Sequence, residues 1–429
     1  MGMSALNIAL SGLRVSQTAI ETASHNIANA GTEGYTRQRV DRRPNSPRQT
    51  LYGPMGSGVA VAGISRSRDS YLDARVRTTD SAAKGLDVRV EFGQRTEDAF
   101  AEPDNGITAS LGRIWSSFTA LAQKPGDASA GTQVLSNLND LAGRVNQARG
   151  ELENLGNNAT QRLQNDIDTA NAAMDRIAEI NRITPAGLAP DLADERDKAL
   201  DTLAATIGAS AVLLPDGKVR VAVGGKTVVD GDYVSHLALD PLNAGVVLHN
   251  TTGPITLGGS AGGLQTVLTS DLPGYRSKLD TFVTGLVNAV NTQHAANKTV
   301  AGLNGTNLLA DNGIAMTVLV SDPTLLASAD ATGGAQNGAG AAAMAALRKT
   351  LDPAARDVVS FVGGSVANLT RSNENAQALA STASQQRLAV TGVNLDEEMA
   401  SLITDQKAYA AAARIITTVD QMLDTLVKM

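Results

Sequence analysis

The sequence predicts a mainly α-helical protein with a small antiparallel β domain inserted into it, an elongated rod whose N- and C-terminal helices pair in coiled-coil fashion. Three observations predict this. Apolar residues recur every seven positions at both ends of the chain, long stretches between 68 and 183 carry three-and-four apolar spacing, and β-branched runs bounded by Gly, Asn or Asp crowd into 207–262. Composition agrees. Only 3% of the 429 residues are aromatic, so the core must be built from Ala, Leu, Val and Ile, which suits packed helices better than a ring-lined pocket. With 42% hydrophobic and 18% charged residues, bulk disorder is excluded.

At the N-terminal end Leu6, Leu13, Ile20 and Ile27 keep a strict seven-residue spacing, with Leu10, Gln17 and Ser24 at the companion seam. At the other end Leu388, Leu395, Leu402, Tyr409, Ile416 and Leu423 repeat at the same interval, and Met399, Ala413, Val419, Met422 and Leu426 widen the stripe. Heptad spacing holds one seam toward a partner helix. Small or polar residues in the second seam (Gln17, Ser24, Gln406, Ala413) fit a close-packed arrangement with several neighbours. Periodicity alone allows two ordinary bundle helices, or a discontinuous domain in which the first and last segments pair. Asn394 followed by Glu397 has the spacing of a capping box, and Asp396, Glu397 and Glu398 suit the positive end of a helix dipole. Gly31 falls where a left-handed cap would end the first helix.

Between these ends, residues 35–95 hold twelve Lys/Arg against six Asp/Glu, a local excess of +6 in a chain of net charge −7. Such a section reads as a solvated surface or as the complement of an acidic face on a neighbouring subunit. The segment 53–63 is punctuated by Gly and Pro and reads as a hairpin or irregular connector. Helical patterning covers 68–101, 107–123 and 130–183, broken at Glu102–Gly106 and Lys124–Asp127. The third stretch places Leu138, Leu141, Val145, Leu152, Leu155, Leu163, Ile167, Met174, Ile177 and Ile180 on one face. Strand patterns follow at 212–214, 219–223, 227–229, 246–248 and 255–257, and helix resumes over 272–296 and from 353 onward. The organisation expected is therefore a terminal assembly domain (1–35 plus 385–429), a helical rod (36–205 plus 265–384) and an outer β domain (206–264).

No catalytic, cofactor or metal constellation stands out. Cysteine is absent, and His25, His236, His249 and His294 lie far apart in sequence. Gly258–Gly263 lacks the Lys-Ser/Thr of a phosphate loop and reads as a turn, and Asp311-Asn312-Gly313 lacks the ligands of a calcium loop. Glu397 and Glu398 diverge by about 100° on a helix and cannot face one substrate. The net charge of −7 argues against a nucleic-acid partner, and no apolar run reaches the ~18 residues of a membrane span. The N-terminus lacks a basic region, and Arg14 interrupts its apolar stretch, so a cleaved signal is not expected.

The run Ser24-His25-Asn26-Ile27-Ala28-Asn29-Ala30-Gly31-Thr32-Glu33-Gly34-Tyr35-Thr36-Arg37-Gln38 resembles the signature that ends the N-terminal helix of bacterial flagellar axial proteins. Gly392-Val393-Asn394-Leu395-Asp396-Glu397-Glu398-Met399, continued to Leu426, is similar to the terminal helix of the hook-associated protein 1 (FlgK) family. Two inner segments support that family: Asp191–Asp201, and Leu286–His294 followed by Leu303-Asn304-Gly305. The resemblance implies a secreted, non-enzymatic component of the flagellum at the hook–filament junction, leaving through the flagellar export apparatus; the alternatives are another flagellar axial protein (hook, distal rod or second junction protein) or a surface-binding module in the β domain. Implied partners are further copies of itself in a ring, the hook protein, a second junction protein and an export chaperone. It also implies that Leu6, Leu13, Ile20, Ile27, Leu395, Leu402, Tyr409, Ile416 and Leu423 carry assembly, that Asn26, Asn29, Gly34 and Tyr35 shape the turn after the first helix, and that Asn394 and Glu397 cap the last one. The terminal segments are expected to be frayed until assembly.

Overall fold

The computed structural model describes residues 2–50, 53–100, 106–184, 188–240, 246–248, 255–332, 334 and 337–428. These residues are mainly helical, with short antiparallel sheets. Helix α1 (Gly2–Ala28) leads into strands β1 (Gln38–Pro44), β2 (Arg48–Thr50), β3 (Gly53–Met55) and β4 (Val59–Arg66). Helices α2 (Ser70–Phe100), α3 (Ile107–Gln123), α4 (Ala128–Ile183) and α5 (Pro190–Ile207) follow. Next come strands β5 (Ser210–Leu213), β6 (Val219–Val223), β7 (Lys226–Asp230), β8 (Tyr233–Val234), β9 (Leu237–Leu239) and β10 (Val246–Leu248). Helix α6 (Gly259–Thr266) runs through a π turn at Val267–Asp271 into α7 (Leu272–Ala296). A hairpin of β11 (Leu309–Asp311) and β12 (Met316–Val318) precedes α8 (Ala339–Ala346), α9 (Arg348–Thr391) and α10 (Leu395–Val427). The chain divides into two compact units, one formed by Met1–Ser81, Ala170–His236 and Gln377–Met429, the other by Ala82–Thr169 and Leu237–Ala376.

In the first unit α1 packs along α10, so the terminal helices expected to be frayed are already paired within a single chain. The punctuated stretch after α1 is an arm of paired strands: β1 runs antiparallel to β4 with a register shift at Asp41/Arg42, and β2 pairs with β3. Strands β5-β6-β7-β8 form one antiparallel sheet in that order. Its inner face buries Val219, Val221, Val223 and Val229. Asn181, near the end of α4 and fully buried, donates to the carbonyls of Val219 and Gly231 at 2.8 Å and accepts from the Val219 amide at 2.9 Å. A side-chain amide here does what a further strand would do.

The second unit is built on α3, α4 and α7. Ile107, Leu111, Ile114, Phe118 and Leu121 bury one face of α3, and Leu279, Val283, Leu286 and Val290 one face of α7. The ten α4 residues picked out by spacing are each at most 4% exposed, which is what three-and-four periodicity dictates for a long helix with one buried stripe. The break before α4 is set by Gly126 (φ +81°) and by Asp127, whose carboxylate accepts from the amides of Ser129 and Ala130. The break expected at 102–105 lies outside the described residues, as does His249.

Several local expectations change. Gly258–Gly263 is not a turn but the entry into α6. Its glycines are required by close approach, since a Cβ on Gly263 would lie 2.3 Å from the Gly85 carbonyl oxygen of α2. Residues 255–257 form no strand; their backbone is instead satisfied by Gln265, which accepts from the Leu257 amide and donates to the Ile255 carbonyl. Asp311–Gly313 starts the β11–β12 turn, where the Asn312 side chain accepts from the amides of Ile314 and Ala315.

The Leu286–His294 segment gains a structural meaning. Asn291 brackets the start of β11 through the amides of Leu308 and Leu309 and the carbonyl of Leu309. His294 is fully buried, with Nδ1–H donating to the Thr306 carbonyl at 2.6 Å and Nε2 accepting from the Ala327 amide at 3.0 Å. Nε2 can accept only while the ring is neutral, and burial lowers its pKa below the ordinary 6.5. In the unfolded chain the ring titrates normally, so the unfolded state takes up a proton first as pH falls. Stability from this residue is complete above about pH 6.5 and declines below it, by at most ~1.4 kcal/mol per pH unit. Urea midpoints measured from pH 7.5 to 5 should therefore fall for the native chain and flatten in His294→Gln; identical slopes would remove the residue from this role.

Candidate assembly site

The last turn of α1, the loop to β1, the start of α5 and the start of α10 meet at one corner of the first unit. Asn26 is its centre. At 1% exposure it uses all four hydrogen-bonding positions: Oδ1 accepts from the Tyr35 hydroxyl at 2.7 Å and the Gln38 amide at 2.9 Å, while Nδ2 donates to the Gln38 carbonyl at 2.8 Å and to Glu398 Oε2 at 3.0 Å. His25 Nδ1 lies 2.9 Å from the Tyr35 oxygen and donates to it, since that hydroxyl is committed to Asn26. Burial, with the nearby carboxylates of Asp191, Asp194 and Glu398, pushes the Tyr35 phenol far up, so it stays protonated and remains a donor.

Asn29 turns its amide back to the His25 carbonyl at 3.0 Å, ending α1. The left-handed residue is Gly34 (φ +83°) and not Gly31, because the chain continues three residues past the expected cap before reversing. Thr36 then bonds Asp194 of α5 through its amide and hydroxyl, at 3.1 and 2.7 Å, and Gln38 reaches Asp191 at 2.9 Å. On α10, Asn394 accepts from the amides of Asp396 and Glu397 at 3.0 and 3.4 Å. The Glu397 carboxylate does not return to the cap; it pairs with Arg37 at 3.0 Å. Arg37 also holds Glu398 at 2.7 Å, and Arg42 holds Asp405 at 2.7 Å.

The buried line between α1 and α10 differs from the large-residue heptads. On α1 the buried residues are Ala9, Val15, Ser16, Ala19, Thr22, Ala23 and Asn26, and on α10 Glu398, Asp405, Ala412 and Val419. Small residues let the helix axes approach closely, and the two carboxylates are tolerable because Arg37, just before β1, and Arg42 of β1 neutralise them. Leu10, Gln17 and Ser24 are exposed, so the companion seam lies one position away from where the pattern puts it. Leu6, Leu13, Ile20, Ile27, Leu402 and Ile416 are half-buried along the flank, while Leu395, Tyr409 and Leu423 are exposed. With Met399, Ile403, Ile415 and Met422 they leave apolar side chains along α10 open to solvent. The Leu426 side chain lies outside the described residues.

Much of the basic section is neutralised within the chain itself. Arg66 pairs with Asp194 and Asp197 at 2.6 and 2.8 Å, Arg68 with Asp73 and Asp197, and Arg77 and Arg387 with Asp201 at 2.7 and 2.8 Å. Arg196, amid these guanidinium groups, has its pKa lowered to about 10, first by burial and then by Arg66, Arg68 and Arg77; it donates to the Gly217 carbonyl at 2.9 Å. Sequence reasoning missed these partners, although Asp194, Asp197 and Asp201 fall at helical spacing on one face of α5. Among the described residues no group of three or more His, Cys, Asp or Glu could hold a metal, and no helix is long and apolar enough to cross a membrane.

The paired chain ends fall within two segments that match flagellar families. Residues 6–36 match the model for flagella basal body rod proteins, and residues 384–429 match that for the C-terminal region of the FlgEFG rod proteins. Residues 93–309, half of the chain, match the helical domain of flagellar hook-associated protein FlgK, and the chain belongs to that family. It is similar to flagellar hook-associated protein 1 of Bacillus subtilis, at 27% identity over 98% of this chain and 97% of the relative. Against the same-named protein of Salmonella typhimurium the identity is 25%, over 76% of this chain and 65% of the relative. In fold it is similar to the flagellar hook junction protein FlgK of Burkholderia pseudomallei, with a TM-score of 0.66, 13% identity, and coverage of 74% of this chain and all of the other.

Proposed function

We propose that this chain is the non-enzymatic element that joins hook to filament, matching the subunit lattice of one to that of the other and so permitting filament growth. Family membership supplies the context, and one observation carries the mechanism: α10 keeps Leu395, Met399, Ile403, Tyr409, Ile415, Met422 and Leu423 exposed although α1 is already packed beside it. Apolar area of that kind on a helix is a surface awaiting partners. On this reading further copies of the chain cover it in a ring, with hook protein on one side and a second junction protein on the other. A chaperone covers it before export, which proceeds through the flagellar apparatus without signal cleavage. The heptad residues Leu6, Leu13, Ile20 and Ile27 meet neighbouring helices from the α1 side, and the Asn26–Tyr35 corner and the Asn394 cap fix the angle at which the pair is presented.

Electron microscopy of cells lacking the gene, with an assay of filament protein in the medium, tests this. Intact hooks without filaments and filament subunits lost to the medium are expected; absent hooks or normal filaments would overturn it. Leu402→Asp, which sets a charge on the half-buried flank of α10, should abolish filament growth in a complementation assay while the β5–β8 sheet stays folded. Normal filaments from that variant would remove Leu402 from the interface.

A further inference from the structure

The outward face of the β5–β8 sheet carries an ordered row with no role in the corner just described. Val212 of β5 stands opposite Arg220 of β6, and Asp230 of β7 stands opposite Tyr233 of β8. The middle two are joined by a two-pronged ion pair at 2.9 and 3.1 Å, which places all four on one face. All four are well exposed, Val212 and Tyr233 at 62% each. The neighbouring row, Ser210, Ala222 and Thr227, is made of small side chains, so nothing on that side overtops it.

Across the sheet the order is apolar, positive, negative, apolar. Rotated by half a turn about an axis parallel to the strands, the row complements itself: Arg220 faces Asp230, and Val212 faces Tyr233. The alternative rotation, about the row itself, sets Arg220 against Arg220 and is repulsive. We infer that this face is a two-fold docking surface for a second copy of the chain, with Val212 and Tyr233 as apolar anchors and two Arg220–Asp230 pairs exchanged across the contact. A two-fold contact closes on itself and cannot propagate, so it pairs free subunits and does not extend a lattice. The face of so small a sheet is well below the ~800 Å² per partner of a standard interface, so association is weak and salt-sensitive.

Sedimentation velocity of the full chain between about 10 and 500 µM tests this, that range matching the affinity a small, wet contact supports. Native chain should show a concentration-dependent dimer. Arg220→Asp and Asp230→Arg, each placing like charges face to face, should weaken it at least tenfold, and Tyr233→Ala comparably. An equimolar mixture of the two charge variants should restore dimer, because each then meets its opposite. These positions are exposed, and circular dichroism verifies that each variant is folded. A native chain that stays monomeric overturns the inference. So does association that persists unchanged in the single charge variants, which would place it on α10, or a mixture that behaves as its components do.

Discussion

Replacing Arg37 with alanine lowers the stability of the first unit by about 3 kcal/mol, the low end of what breaking a buried ion pair from one side costs. The asymmetry of the pair sets the size of the effect. The Glu398 side chain is 4% exposed and that of Arg37 34%, so removing the arginine strands a buried carboxylate, whereas removing the carboxylate returns a half-exposed cation to water. Asn26 still donates to Glu398 in the variant, which holds the cost at the low end of the range. Glu398→Gln keeps an acceptor for Asn26 and should cost roughly half as much. Urea unfolding of both variants measures the ratio. Equal losses would mean that the corner is held by packing, with the charges incidental.

A second large effect is expected in the other unit. Arg149 of α4 is 2% exposed and bridges Asp280 of α7, at 2.7 Å, and Asp311 of β11, through two bonds at 2.6 and 3.1 Å. The two carboxylates hold its guanidinium more firmly charged than usual despite burial. Arg149→Leu preserves apolar bulk but leaves the nearly buried Asp311 without its counter-charge, at a cost of about 3–5 kcal/mol. Adding Asp311→Asn to that variant should recover a large part of the loss. A double variant no more stable than the single one would show that the side chain's shape, and not its charge, is what the site needs.

These two arginines mark where reading the sequence stops. The α4 stripe from Leu138 to Ile180 is legible because a long helix with one buried face imposes its period on the residues themselves. The break between α3 and α4 and the strand–turn–strand at 212–223 are legible for the same local reason. What lies between α1 and α10 is not. Periodicity selects the largest apolar side chains as the seam, but close antiparallel packing selects Ala9, Ala19 and Ala23, and it admits Glu398 and Asp405 because arginines more than 350 residues earlier come to meet them. Charge compensation across such a separation leaves no local period. A trace existed: Glu398, Asp405, Ala412 and Val419 share a seven-residue interval of their own, and Asp194, Asp197 and Asp201 share one face of α5. Both were overshadowed by the excess of arginine nearby, which reads as a surface for a neighbour until its internal partners are seen.

Asn26 near the end of α1 touches Glu398 near the start of α10, and from that point the two helices run side by side in the same direction in space, opposite in chain sense. The start of α1 and the end of α10 therefore lie toward the same end of the pair, remote from the corner. Tension applied to those two ends would peel the pair like a zipper, loading one turn at a time, and the small residues along the line offer little resistance. Tension applied between one free end and the corner would load every turn in shear at once. The saturated amide of Asn26 is where peeling would stall, so rupture force should depend steeply on which residues are pulled.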